Sequence, residues 1–190
     1  MPPARAQRII SVLFCSSRSI YAHLPGCDVW TRKRDAAKFT APHPVIAHPP
    51  CRTWSKFLRT QAKPLDFLAE QNLGRFAVAT AQKNGGIVEQ PAGSFLWSAC
   101  QLPRPGDNSD PFCYTIQIEQ SWFGMATRKK TWLLICGVPR AMLPAVPFQF
   151  DPKPNSQVWQ NSHQRSRTPT LLAEWLCQVA RSVWWREGER

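Results

Sequence analysis

The feature that most constrains this chain is Val45-Ile46-Ala47-His48-Pro49-Pro50-Cys51-Arg52-Thr53-Trp54-Ser55. Its β-branched apolar start predicts a buried strand over Val45–Ala47. Two consecutive prolines end that strand, because neither donates to a sheet ladder and both have a fixed φ. Cys51 then stands on a stiff turn beyond the strand's carboxyl end, where open α/β sheets bind their ligands. Such a turn suits a nucleophile, whose sulfur has to be placed to a fraction of an ångström. The same residues also describe a Pro-rich surface turn carrying an inert cysteine.

The flanking pattern predicts an α/β fold with a mostly parallel sheet. Residues 8–14 read as a strand apolar on both faces, 20–24 as a short helix ended by Pro25-Gly26, 27–30 as a second strand, and 31–39 as a short basic helix. Apolar residues at helical spacing predict a helix over 64–84 that Gly85-Gly86 ends, followed by a strand over 86–91 that delivers Glu89 before Pro91. Strand, helix, strand is a βαβ unit. A loop over 93–111 holds a short helix at 95–100, and strands at 114–120 and 131–136 flank a basic loop and pair antiparallel. Residues 138–164 read as irregular, and Thr168 and Pro169 as the N-cap and first residue of a last helix.

At 190 residues, 43% apolar and with nine tryptophans, the chain is expected to form one globular domain over residues 1–190. No apolar run reaches the roughly 20 residues of a membrane span, and the basic start lacks a secretory apolar core, so an intracellular, cytoplasmic protein is expected. Seven cysteines, none spaced as CxxC, argue against a disulfide framework or zinc ribbon. His48 and Cys51 form the one HxxC pair, with no second pair at zinc spacing, so no metal is expected. A net charge of +12 points to a polyanion, with nucleic acid first, although the charge also serves solubility alone.

Four segments in order now resemble the DNA cytosine-5 methyltransferase family. His48-Pro49-Pro50-Cys51-Arg52-Thr53-Trp54-Ser55 is similar to its Pro-Pro-Cys-x-x-Phe-Ser nucleophile motif, and Glu89-Gln90-Pro91 to its Glu-Asn-Val or Glu-Asn-Pro motif. Trp122-Phe123-Gly124 through Arg128-Lys129-Lys130-Thr131 resembles its Gly and basic segment, and Arg167-Thr168-Pro169 its closing Arg-x-Thr-Pro. The likeness spans about residues 8–185. It implies a Rossmann-like methyltransferase core with a reduced or absent target-recognition domain, residues 138–164 being an irregular insertion in its place. A compact, basic member of this kind suits a phage or prophage.

The chemistry implied is coherent. C5 of a pyrimidine becomes nucleophilic only after something adds at C6, and a thiolate both adds and leaves readily. The resemblance makes Cys51 that nucleophile, Glu89 the acid at N3 (if its surroundings keep it protonated) and Arg128 the cation at O2. The base has to be flipped out of a double-stranded DNA. S-adenosylmethionine is the implied cofactor, with Phe14, Ser16, Ser17, Trp30, Asp35 and Pro49 beside it; Asp28 competes with Asp35 for the ribose. Ser55, Arg52, Gln90, Lys129, Arg165 and Arg167 are the implied DNA contacts. The chain departs from the family in Phe14-Cys15-Ser16-Ser17-Arg18-Ser19, which has no glycine where Phe-x-Gly-x-Gly is usual, and in His43-Pro44, where an acidic residue is usual. Three functions follow: a cytosine-5 methyltransferase; a pyrimidine-modifying enzyme with another donor, a modified base or a free nucleotide; and a non-catalytic DNA-binding protein that kept the fold.

Overall fold

Strands that are apolar on both sides need cover on both sides, and the chain supplies it from two sets of helices. The computed structural model describes residues 8–55, 64–149 and 167–184, with the backbone alone at 64–66. Six strands, β1 (Ile10–Cys15), β2 (Cys27–Thr31), β3 (Val45–Ala47), β4 (Gly86–Pro91), β5 (Cys113–Glu119) and β6 (Lys130–Cys136), form one sheet in the order β2-β1-β3-β4-β6-β5. The pairs β1·β2, β1·β3 and β3·β4 are parallel; β6 is antiparallel to both neighbours, so the β5–β6 hairpin inserts its second strand beside β4.

Alternate residues of each strand feed opposite faces. Val12, Ile46, Ile87, Leu133 and Ile135 pack with Leu172, Trp175, Leu176 and Val179 of α3 (Thr170–Arg181). Leu13, Val45, Ala47, Val88 and Leu134 pack with Ala77, Val78 and Ala81 of α1 (Pro64–Asn84) and with Leu96 and Trp97 of α2 (Leu96–Ala99). Among the described residues, no helix is long and apolar enough to cross a membrane.

Most predicted elements stand within two residues of their expected bounds, and α1, β3 and β4 coincide with them. Residues 31–39 do not form one helix: Asp35 takes the left-handed conformation (φ 53°) and splits them into two 3-10 turns, Arg32–Arg34 and Ala36–Lys38. The last helix begins at Thr170 with Pro169 as its cap, so Thr168 is not the cap. Of residues 138–164, those to 149 are described: Leu143 and Val146 pack on the α3 side and Gln149 bridges to Phe123. The rest lie outside the described residues, as does Arg165.

The two consecutive glycines do more than end α1. Gly86 has φ +126°, and a Cβ there would meet the Val45 carbonyl at 2.0 Å. A side chain is therefore excluded where β4 begins beside β3.

From β1 the chain moves to β2 on one side and returns to β3 on the other. This reversal is a topological switch point, and open α/β sheets bind their ligands at such a point, beyond the carboxyl ends of the strands. Cys51, Glu89 and the entry to β6 all belong to that edge.

Candidate active site

The Pro49–Ser55 loop is held by buried polar groups. Gln90, 1% exposed, donates to the Pro49 carbonyl at 2.6 Å and accepts from Ser94 Oγ at 3.3 Å. The Trp54 carbonyl accepts from the Phe95 N–H at 2.9 Å, and the Trp54 N–H donates to the Cys51 carbonyl at 3.1 Å. Cys51 itself is half-buried and free. Burial raises its thiol pKa above the ordinary value and the Glu89 carboxylate adds to the rise, against Lys129. At neutral pH the sulfur is a thiol, and attack requires that its proton leave.

Glu89 sits at the end of β4 with its side chain 12% exposed. His48 Nδ1 is 3.1 Å from Oε2, and Gln120 Nε2 donates to Oε1 at 3.2 Å. The Lys129 ammonium lies 3.8 Å from Oε1. Burial pushes this carboxyl up, but Lys129 and the His48 hydrogen bond outweigh burial and hold its pKa at about 2. Without substrate Glu89 is thus a carboxylate, whereas an acid at N3 has to carry a proton.

His48 is fixed from its other side. Its Nε2 stands 3.1 Å from the hydroxyl of Tyr21, which is fully buried, and the two rings are 5.4 Å apart. With Nδ1–H donating to Glu89, the Tyr21 O–H donates to Nε2. Gln120 is braced by a second donation, to Thr131 Oγ1 at 3.1 Å.

The structure places the remaining sequence-derived residues as follows. Arg128 is exposed and, among the described residues, has no charge partner; its neighbour Lys129 reaches Glu89 instead. Arg52 pairs with Glu70 of α1 at 2.6 Å. Gln90 is a buried brace rather than a DNA contact, and Pro49 is buried. Ser55 is half-buried beside the Cys51 turn, and Arg167 is exposed.

On the cofactor side, Phe14 takes the left-handed φ of 63° that glycine favours, as a bulge between Leu13 and Cys15 at the end of β1. Ser16 and Ser17 are exposed in the following turn. One face of Trp30 is covered by the Arg34 guanidinium at 4.0 Å. The Asp28 carboxylate is engaged by Arg34 and by Trp30 Nε1, and that of Asp35 caps Ala37 and faces Lys38 at 3.5 Å. An adenosyl group stacks on an aromatic face and pairs its ribose with a carboxylate; here Arg34 covers one face of Trp30 and both carboxylates are already paired, so S-adenosylmethionine would have to displace Arg34 or Lys38 to use them.

His48, Tyr21 and Gln120 were missed by sequence reasoning as parts of the site. His48 carried a weak signal, a titratable residue at a strand end before Pro-Pro. Tyr21 and Gln120 carried none. Among the described residues no cluster of three His, Cys, Asp or Glu stands ready for a metal ion. No protein-family model matches the chain, and no curated protein matches it.

Proposed function

We propose that this protein modifies a pyrimidine in DNA by adding Cys51 to C6 of a flipped base, on a Rossmann-like methyltransferase core. The observation that carries the reading is a half-buried thiol on a braced loop that feels the charges of both Glu89 and Lys129, which are themselves paired at the carboxyl end of β4. The protons balance within the site. As Sγ bonds to C6, the thiol proton passes to Glu89, and N3, made basic by the addition, receives it. A carboxylate so placed also accepts from the exocyclic amino group of cytosine, which favours cytosine over thymine. Lys129, in place of Arg128, stabilises the negative charge that develops.

The group then added at C5 is a methyl in the family reading, giving a cytosine-5 methyltransferase. No step through the donor is built on these residues, because Trp30, Asp28 and Asp35 are otherwise engaged. A non-catalytic DNA-binding protein is the second reading, and those engaged residues are what favour it.

The test is trapping on duplex oligonucleotides containing 5-fluorocytosine, with S-adenosylmethionine present, read as a denaturant-stable adduct. The wild type is expected to cross-link through Cys51, and Cys51→Ser to bind DNA within a few fold but give no adduct. Salt-sensitive binding without any adduct removes the cytosine-5 methyltransferase reading and leaves the binding one or an enzyme with another donor. Calorimetric titration with S-adenosylmethionine separates a methyltransferase from an enzyme with another donor.

A further inference from the structure

A pair of cysteines lies at the opposite end of the strands, level with the start of β4. Cys113 opens β5 and Cys136 closes β6, and the two are direct partners in the antiparallel ladder. Their sulfurs are 2.9 Å apart, closer than any other pair of described cysteines for which a contact is given; Cys27 and Cys177 stand at 3.5 Å. The Gly137 N–H donates to the Phe112 carbonyl at 2.7 Å, which makes 112/137 a hydrogen-bonding position and 113/136 the non-hydrogen-bonded position next to it. At such positions the Cα atoms are about 4.5 Å apart, within the roughly 4.4–6.8 Å span that a disulfide bridges.

Access is unequal. Both residues line a cavity of about 680 Å³ with Gln82, Leu102, Asp110 and Trp184. Cys113 is half-exposed to it, whereas Cys136 is 1% exposed. The contact between them also divides the two thiols: the Cys136 hydrogen bond lowers the pKa of Cys113, and the same contact with burial raises that of Cys136. An accessible sulfur that ionises more readily, backed by a buried one in bonding reach, is the arrangement of an attacking and a resolving thiol.

We propose that Cys113 and Cys136 form a redox-modification site that captures low-molecular-weight disulfides through this cavity and closes to a cross-strand disulfide. The step balances. The Cys113 thiolate attacks one sulfur of RSSR, forming a mixed disulfide and releasing RS⁻. Cys136 then gives up its proton and displaces the second RS⁻. Two protein thiols are oxidised, and one small disulfide is reduced to two thiols. The site lies apart from Cys51 and does not depend on the pyrimidine chemistry.

The experiment uses the full chain, oxidised glutathione, alkylation of the remaining thiols and peptide mapping with fragmentation that separates Cys100 from Cys113. The wild type is expected to lose two hydrogens in a Cys113–Cys136 cross-link while Cys51 and Cys100 remain alkylated. Cys113 is expected to react roughly tenfold faster than Cys100, whose thiol burial raises. Cys136→Ser should stop at a stable glutathione adduct on Cys113, and Cys113→Ser should leave Cys136 unmodified. Cys113 that stays alkylatable when Cys100 has been oxidised overturns the proposal in the wild type, whatever the variants do. Glutathione on Cys136 in Cys113→Ser overturns the division of roles.

Discussion

Glu89→Gln tests the electrostatic account of the site without any substrate. Glu89 has an ordinary pKa near 4.5 and is held at about 2 in the fold. At about 1.4 kcal/mol per tenfold, that difference is worth about 3 kcal/mol of stability. Because the folded pKa lies below the unfolded one, the contribution is complete above the unfolded value and disappears as pH falls through the folded one. Gln keeps the acceptor for Gln120 but loses the charge that faces Lys129. The variant is therefore expected to be about 2 kcal/mol less stable near neutral pH, with the retained hydrogen bond taken into account. The gap between wild type and variant should hold from pH 7 to pH 5.5, then shrink by about 2 kcal/mol by pH 3, as Glu89 of the unfolded wild-type chain takes up a proton while the folded carboxylate keeps its charge. Urea unfolding followed by tryptophan fluorescence at each pH measures it. A gap at pH 3 equal to that at pH 7 would refute the reasoning, because Glu89 would then titrate alike in both states.

Three further outcomes follow from particular contacts. Gly86→Ala places a Cβ against the Val45 carbonyl and should cost about 3 kcal/mol or more, seen in thermal unfolding; a loss under about 1 kcal/mol would mean that β3 and β4 separate easily. Lys129→Met removes the foremost of the influences that lower Glu89, so carboxyl ¹³C NMR should show its titration moved upward, while Arg128→Met should leave it unmoved. Tyr21→Phe removes the hydroxyl that holds His48 and should cost about 1 kcal/mol of stability. It should also slow Cys51 adduct formation; an unchanged rate would show that Glu89 is held without the His48–Tyr21 pair.

The sheet was legible because burial on both faces leaves its mark on the central strands β1, β3 and β4. Ile46 between Val45 and Ala47, and Ile87 beside Val88, alternate between two cores that are both apolar, so they read as continuous runs. Pro49-Pro50 and Gly85-Gly86 are local punctuation and marked the ends of β3 and α1 directly. Cys51 and Glu89 were legible for the same reason, since each follows an apolar run that has to stop. The break at Asp35 was not, because a non-glycine residue in the left-handed region leaves no mark in hydropathy.

What the sequence by itself determined was the set of elements, their apolar faces and the residues standing at their carboxyl ends. The tertiary structure decided the company those residues keep. His48 meets Glu89 across 41 positions, and Tyr21 meets His48 across 27. Lys129 rather than Arg128 faces the carboxylate, and Cys113 faces Cys136 only because β6 runs back beside β5. Hydropathy patterns record how each residue meets solvent, a one-body property, whereas a charge partner is a two-body property that depends on strand order and register.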